Sequence, residues 1–308
     1  MTKLSSPYRL STQAKFERLW LLHPEQFNPE RNALSRNRLE LTWNLMEQLG
    51  PFSEKTTADL GVGAGVLTQR LAKAGATVHA VDIARNALKR LQEKELPHVL
   101  PICDYVPSTS LPDNSYDLIL CTELIGSLPH EEHRLLFSEL ARLIKKDGTL
   151  ICSTALDVDS EDVLERFLSL LETEFKIEKA IFSYHALYIN LLAFLKAPSC
   201  FLKAWKDPEY RNYKLSSRRG FYRRWFEIQS TTPWAPCWKL VNWFCQPLAR
   251  KFGQSKQSLK VLERICRCLK PNSGISQIFV QAKKRPLVMP VPENEQPKER
   301  KGKKEVWE

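Results

Sequence analysis

The chain has 308 residues, 43% of them hydrophobic, which is enough for one large domain or for a domain with a subdomain. No stretch offers a clean span of about 20 apolar residues, and this argues against a membrane-spanning protein. The formal net charge is +11, and because residues 1–7 lack an apolar segment we expect no secretory signal peptide.

Cysteine usage indicates a reducing compartment. The eight cysteines are scattered, without a C-x-x-C pair, and Cys266-x-Cys268 is too tight for the usual zinc spacing. We therefore predict free thiols, no metal site and a cytoplasmic protein.

The N-terminal part predicts two helices. Residues 10–21 place Phe16, Leu19 and Trp20 on one side of a short helix. Residues 32–49 carry leucines at helical spacing and stop at Gly50-Pro51. Residues 1–50 are therefore predicted to form an N-terminal helical cap.

Residues 58–65, with the sequence A-D-L-G-V-G-A-G, predict a strand, a glycine turn and the start of a helix. A dinucleotide fold requires a third small residue where this chain has Val66, so a nicotinamide-dependent oxidoreductase is disfavoured. Asp59 would repel a pyrophosphate but suits a ligand with an ammonium or sulfonium charge. Asp82 ends the next strand about 20 residues later, where a ribose diol is held in such folds.

The core continues as alternating strands and helices, which predicts a parallel sheet with right-handed crossovers. Strands are predicted at 56–60, 77–82, 99–103, 116–122, 149–154 and 175–184, and helices at 65–74, 84–95, 131–145 and 160–173, the last capped by Asp159 or Ser160. Ligands in such sheets bind beyond the carboxyl ends of the strands. Asp59, Asp82, Asp104 and Glu123 lie at or just after those ends, so we expect them to converge on one crevice.

The pattern changes after Tyr184. Residues 186–195 predict an apolar helix ended by Lys196 and Pro198, followed by basic and aromatic residues. The core is slightly acidic and the segment after Tyr184 is basic. Residues 51–160 contain 11 Lys and Arg against 15 Asp and Glu, whereas residues 185–285 contain 20 Lys and Arg against 4 Asp and Glu. The mixed segment contains the following basic and aromatic residues: Lys203, Lys206, Arg211, Lys214, Arg218, Arg219, Arg223, Arg224, Trp205, Tyr210, Tyr213, Phe221, Tyr222, Trp225, Phe226, Trp234, Trp238 and Trp243.

Several motifs in the right order resemble the class I S-adenosylmethionine (SAM)-dependent methyltransferases, and more narrowly their small-molecule, quinone-ring branch. These are the glycine turn, Cys103-Asp104, the run L-P-D-N-S-Y-D-L-I-L-C at 111–121, and L-A-R-L-I-K-K-D-G-T-L-I at 140–151. The resemblance implies an α/β, Rossmann-like seven-stranded methyltransferase sheet with helices on both faces. It also implies N-terminal helices that cover the cofactor or line the substrate mouth, although plain packing on the sheet stays open.

Together with these patterns, the resemblance divides the chain into a cap at 1–50, a SAM-binding core at 51–184, a helical basic and aromatic insertion at 185–272 and the final strand at 273–285. The tail at 286–308 is rich in Pro, Lys and Glu and is predicted to be disordered. The resemblance also assigns cofactor roles. Asp59 would support the amino group or the turn, Asp82 the ribose hydroxyls and Asp104 the adenine amino group. The predicted SAM-binding residues are Asp59, Gly61, Gly63, Gly65, Asp82, Ile83, Cys103, Asp104 and Cys121.

The catalytic group is not assigned, because many members of the family have a Glu-His pair where this chain has Gly126-Ser127. The candidates are Glu123, at the end of the fourth strand, and His130 and His133, which begin a helix. Tyr184 and His185 are further candidates for lining the substrate pocket.

Three interpretations of the insertion compete: peripheral membrane contact through residues 186–245 that gathers a lipid-soluble substrate, an RNA clamp, and a helical lid. The apolar run favours the membrane over nucleic acid. We predict a methyltransferase (EC 2.1.1) acting on a small or lipid-like acceptor. The alternatives are an RNA methyltransferase and a non-catalytic binding protein that keeps the SAM fold.

Overall fold

The computed structural model describes residues 8–156, 161–216, 220–231, 235–269 and 274–286. Some predicted features lie outside these ranges: the helix cap at Asp159 or Ser160, the basic pair Arg218-Arg219, Trp234, and the tail after residue 286. The side chains of Tyr213 and Phe221 are likewise outside the description.

Two N-terminal helices precede the sheet, as predicted. Helix α1 spans Arg9–Leu22 and α2 spans Ala33–Glu47, with a short 3-10 turn at Pro24–Phe27 between them. Asn32 caps α2, since its side chain accepts a hydrogen bond from the Ser35 N–H at 2.8 Å. Leu45 and Met46 at the end of α2 are buried against the sheet.

The core is a seven-stranded sheet in the order β3-β2-β1-β4-β5-β7-β6. The strands are β1 Thr56–Leu60, β2 Thr77–Asp82, β3 Val99–Cys103, β4 Tyr116–Thr122, β5 Ile144–Ala155, β6 Phe175–Ser183 and β7 Gln277–Lys284. β1 to β5 pair in parallel, and β7 is inserted antiparallel between β5 and β6. The predicted Rossmann-like α/β fold is confirmed.

Helices cover both faces of the sheet, because alternate residues of each strand point to opposite sides. The helices of the core are α3 Val66–Lys73, α4 Arg85–Gln92, α5 His133–Leu143 and α6 Glu161–Glu174. Leu118 and Leu120 of β4 pack in the cluster that includes α2 and α3. Ile119 and Cys121 pack in the opposite cluster, with α5 and α6.

The fifth strand is longer than predicted, because it begins at Ile144 and not at residue 149. Residues 146–148, which separate the predicted helix from the predicted strand, belong to β5, and the register of β4 against β5 shifts between Tyr116 and Leu118. A side chain at Gly148 would come within 2.8 Å of the Tyr116 carbonyl oxygen, so the close approach of the strands requires glycine.

In the described residues between β6 and β7, where the sequence predicted a helical insertion, there are five helices. They are α7 Ala186–Lys206, α8 Pro208–Ser216, α9 Gly220–Thr231, α10 Ala235–Gln254 and α11 Lys256–Leu269. α7 packs against each of the other four.

The prediction that the first of these helices ends at Lys196 and Pro198 is wrong. α7 continues to Lys206 with a buried Pro198 inside it. An interior proline costs about 3 kcal/mol through its missing N–H and its ring. Packing offsets this cost, because Phe201 and Ala204 beyond the proline are buried with Phe226 of α9.

α7 departs from the expectation that no stretch is long and apolar enough to span a membrane. Among the described residues it is the one helix that meets this test of length and composition, with 22% of its most apolar window buried. One such helix is weak support for a membrane span, since the core helix of a globular protein meets the same test.

Candidate active site

A cavity of about 350 Å³ lies where the carboxyl ends of β1, β2 and β4 meet, beneath α1 and α2. This is the position at which parallel α/β sheets bind ligands. Its walls come from the two N-terminal helices, the glycine turn and the loops after β2, β3 and β4. The residues that line it include Phe16, Trp20, Phe27, Arg38, Asp59, Gly61, Gly63, Gly65, Asp82, Ile83, Asp104, Thr122 and Glu123.

The glycine turn forms the floor of the cavity. Gly61, Gly63 and Gly65 all have positive φ, at 77°, 55° and 66°, which L side chains rarely adopt. A Cβ at Gly65 would meet the Leu91 side chain at 2.5 Å, whereas the nearest atom to one at Gly63 is 3.9 Å away. Gly65 is therefore needed for packing, and Gly63 leaves open space in which a ligand can touch bare backbone.

Asp59 lies beside this turn with only 3% of its surface exposed. Thr68 of α3 donates a hydrogen bond to its carboxylate at 2.5 Å. Burial raises the pKa of Asp59 to about 6, and the neighbouring Asp82 carboxylate adds to the rise while the Thr68 hydrogen bond opposes it. A cationic ligand in the cavity would stabilise the ionised form of Asp59.

Asp82 faces the same hollow from the end of β2. Its carboxylate accepts the Gly63 N–H at 3.0 Å and the Ala84 N–H at 2.9 Å. Burial raises the pKa of this carboxyl, while the backbone hydrogen bonds act in the opposite direction. The two predicted acids thus converge above the glycine turn, with Asp82 tied to the turn itself.

The loop after β3 brings Asp104 to the cavity, and Ile83 lines it from the loop after β2. The Asp104 carboxylate accepts hydrogen bonds from the Tyr105 N–H and from the N–H and hydroxyl of Ser110, so it shapes its own loop. Cys103 lies outside the cavity lining, exposed, with its thiol 3.6 Å from the Ile83 carbonyl oxygen.

Cys121 also lies outside the lining, fully buried in the sheet beside Cys152 of β5. The hydrogen bond that the Cys152 thiol makes to Cys121 raises its pKa, and burial adds to the rise, so this pair is part of the core. The next two residues of the chain, Thr122 and Glu123, do reach the cavity.

Glu123 has a positive φ of 59°, which is uncommon for a residue with a side chain. Its carboxylate is held on three sides. It accepts hydrogen bonds from Gln277 of β7 at 2.6 Å and from the Ser153 hydroxyl of β5 at 3.1 Å, and pairs with Arg38 of α2 at 3.3 Å. These contacts hold the backbone in its strained conformation and fix Glu123 at the cavity wall.

Arg38 was not identified from the sequence. Helical periodicity shows which residues of α2 are apolar, but not that this helix lies over the strand ends. Within the part of the chain that the structure describes, Arg38 is the only cationic side chain that lines the cavity, against four carboxylates.

The two histidine candidates do not reach the cavity. Their rings contact each other edge to face, with 5.1 Å between centroids. His133 lies 3.3 Å from the Leu128 carbonyl oxygen, and burial lowers its pKa. Tyr184 and His185 likewise lie away from the cavity, near Glu263 of α11.

Aromatic side chains of the N-terminal cap form the opposite wall. Trp20 stacks on Phe27 with 4.3 Å between ring centroids, and Phe16 packs beside Phe27 at 6.4 Å. Glu17 of the same helix accepts hydrogen bonds from the N–H groups of Arg85 and Asn86, which ties α1 to the start of α4. The cap therefore offers a flat apolar surface above a polar floor.

Comparison with known proteins agrees with this architecture. Residues 58–152 match the family described as a methyltransferase domain. A ubiquinone biosynthesis O-methyltransferase of Paracidovorax citrulli is 30% identical over 149 residues, which cover 46% of this chain and 60% of that relative. One of Nitrosomonas europaea is 28% identical over 157 residues, covering 49% and 63%. The chain thus spans less than two thirds of either relative.

A similar solved structure is the N-methyltransferase NodS of Bradyrhizobium japonicum, crystallised with S-adenosyl-L-homocysteine (SAH). It shares 19% identity, with 56% of this chain and 89% of that chain covered and a TM-score of 0.47. The family match falls on the segment that holds the glycine turn, both converging acids and Glu123. The core of this chain is therefore similar to methyltransferase domains over residues 58–152.

Proposed function

We propose that this protein is a SAM-dependent methyltransferase that acts on a small, lipid-like acceptor. The observation that carries the proposal is the convergence of Asp59 and Asp82 on one hollow above the glycine turn. Four carboxylates and one guanidinium line the cavity, and this excess of negative charge suits a donor with a sulfonium and an ammonium group.

Each part of the donor has a matching protein group. The free lone pairs of Asp82 would accept the ribose hydroxyls, and Asp104 and Ile83 would border the adenine. Asp59 would compensate the positive charge, and the bare backbone at Gly63 permits close approach. Arg38 is the group that would receive the donor's carboxylate, since no other described lining residue is cationic.

SAM supplies a methyl group on a positively charged sulfur, which an acceptor displaces in line. The contribution of the protein is to align the acceptor and to exclude water, and the aromatic wall of Phe16, Trp20 and Phe27 is suited to both. Of the three candidate bases, Glu123 alone lines the cavity. Its three partners make it a positioning group, so an acceptor that arrives as a phenolate or enolate fits this site best.

The acceptor class rests on two observations. The relatives named above are O-methyltransferases of ubiquinone biosynthesis, whose name points to a lipid-soluble product. The basic and aromatic insertion beside the core suits a protein that collects its substrate at a membrane. We infer a peripheral membrane protein of the cytoplasm, and its eight free thiols support a reducing compartment.

Isothermal titration calorimetry with SAH tests the donor site directly. We expect the wild-type protein to bind SAH, and Asp82→Ala to weaken binding at least about tenfold because both ribose hydroxyls lose an ionic acceptor. Asp147→Ala is a matched control, since this exposed acid lies near the amino end of β5 and the cavity lies at the carboxyl ends of the strands. Absence of SAH binding by the wild type would refute the proposal.

The acceptor is sought by giving the purified protein isotopically labelled SAM together with lipid and aqueous metabolite extracts. Label in an extractable small molecule supports the proposal. Label in RNA would support the RNA alternative, and SAH binding without any labelled product would support a non-catalytic role.

A further inference from the structure

We propose that the outward face of α10 is a docking surface for an anionic membrane. Leu240, Phe244 and Leu248 are spaced four residues apart and so form one row along the helix, which we name the α10 stripe. Their exposed fractions are 62%, 62% and 55%. Val241 flanks the row, and Trp243 projects beside it with 68% exposed.

The inward face of α10 is already occupied by α7, which runs antiparallel to it. Phe252 near the end of α10 stacks on Tyr188 at the start of α7, with 4.8 Å between ring centroids. Trp238 at the start of α10 packs on Phe201 in the second half of α7 at 4.9 Å. The α10 stripe is therefore not needed to hold this helix pair together.

α7 also carries exposed apolar residues on its outward side. Leu191 and Phe194 are exposed, the latter to 73%, and lie on one side of the helix. Asp and Glu are absent from the sequences of both helices, whereas exposed lysines and arginines flank the apolar residues. These basic residues are Lys196, Lys203, Lys206, Lys239, Arg250 and Lys251.

The combination of exposed apolar residues with flanking lysines and arginines favours an anionic lipid surface over a second copy of this chain or a nucleic acid. A self-complementary dimer through this face would bring lysines and arginines of two copies together, which opposes association. A nucleic acid would satisfy the charges but leave Leu240, Val241 and Leu248 against phosphate. A bilayer interface accommodates all three kinds of side chain. Aliphatic side chains enter the acyl boundary, tryptophan lies at the headgroups and basic groups pair with anionic lipid.

The test is co-sedimentation of the full chain with vesicles of phosphatidylcholine alone or mixed with phosphatidylglycerol. We expect binding to the mixed vesicles that falls with added salt. The double variant Leu240→Ser/Phe244→Ser should weaken this binding about tenfold or more through the lost apolar contact. The triple variant Lys239→Ala/Arg250→Ala/Lys251→Ala should weaken it to a similar extent and reduce its salt dependence.

Leu135→Ser is the matched control, because this leucine is equally exposed but lies on α5 of the core. It should bind vesicles like the wild type, and circular dichroism and SAH titration should show that every variant is folded. Brominated lipids should quench the tryptophan fluorescence, and Trp243→Phe should reduce the quenching more than Trp43→Phe on α2.

The proposal would be overturned by the absence of salt-sensitive vesicle binding in the wild type, by binding that the stripe variant retains, or by a dimer that dissociates when the stripe is changed. Vesicle binding that appears only after truncation behind Arg285 would also overturn it, since the tail would then cover the face. SAH titration and vesicle binding are separate measurements, so this surface and the proposed methyl transfer can fail independently.

Discussion

The buried carboxyl of Asp59, in the ligand site, lowers the free energy of unfolding when it is ionised. Its pKa rises from 3.8 to about 6 on folding, so between these values the native state binds more protons than the unfolded state. The free energy of unfolding therefore falls as the pH rises through this window, by a total on the order of 2–3 kcal/mol. The cost is complete above about pH 6, where Asp59 is ionised and buried.

We expect Asp59→Asn to be more stable than the wild type at neutral pH, because the amide keeps an acceptor for Thr68 and carries no charge. The difference should vanish below about pH 4. SAH affinity should change in the opposite sense, lower in the variant and, for the wild type, lower as the pH falls below about 6. Urea unfolding and calorimetry at several pH values measure both, and equal stability of the two proteins at neutral pH would contradict the argument.

Among the elements, α2 has two functions, because it packs on the sheet through Leu45 and Met46 and carries Arg38 over the cavity. Its first turn depends on the Asn32 cap. We expect Asn32→Ala to lower the free energy of unfolding by about 1 kcal/mol and Asn32→Asp to be nearly neutral. Thermal denaturation compares the two, and a loss of equal size in both variants would show that the cap is not the cause.

Local sequence patterns predict the strands of the sheet but not the position of α2. Strands β1 to β4 were predicted to the residue because apolar runs ended by glycine, proline or acids mark them locally. The convergence of Asp59 and Asp82 could be predicted because ligands in parallel sheets bind beyond the carboxyl ends of the strands, where both acids lie. The position of α2 above the sheet, and hence the place of Arg38, depends on long-range packing that no local pattern encodes. The continuation of α7 past Pro198 likewise depends on buried contacts with other helices.

In the whole molecule, α2 also joins the cofactor core to the insertion. Arg36 donates hydrogen bonds to the carbonyl oxygens of Glu30 and of Gln254 at the end of α10, and Lys256 at the start of α11 pairs with Glu40. Ala33 is buried in a cluster with Tyr188, Ala249 and Leu259 of the insertion. A ligand that orders the cavity roof should therefore also order the part of the insertion that rests on it.

Hydrogen exchange with and without SAH measures this coupling. We expect SAH to slow amide exchange in α1 and α2, in the second half of α10 and at the start of α11, and to leave α8 and α9 unchanged, since these pack on the far end of α7. Arg36→Gln removes the contacts to Glu30 and Gln254 but keeps the Lys256–Glu40 pair and the Ala33 cluster, so it should reduce the protection of α10 and leave that of the N-terminal helices unchanged. Protection of α8 and α9 as strong as that of α10 would instead mean that the insertion responds as one unit, by a route other than α2.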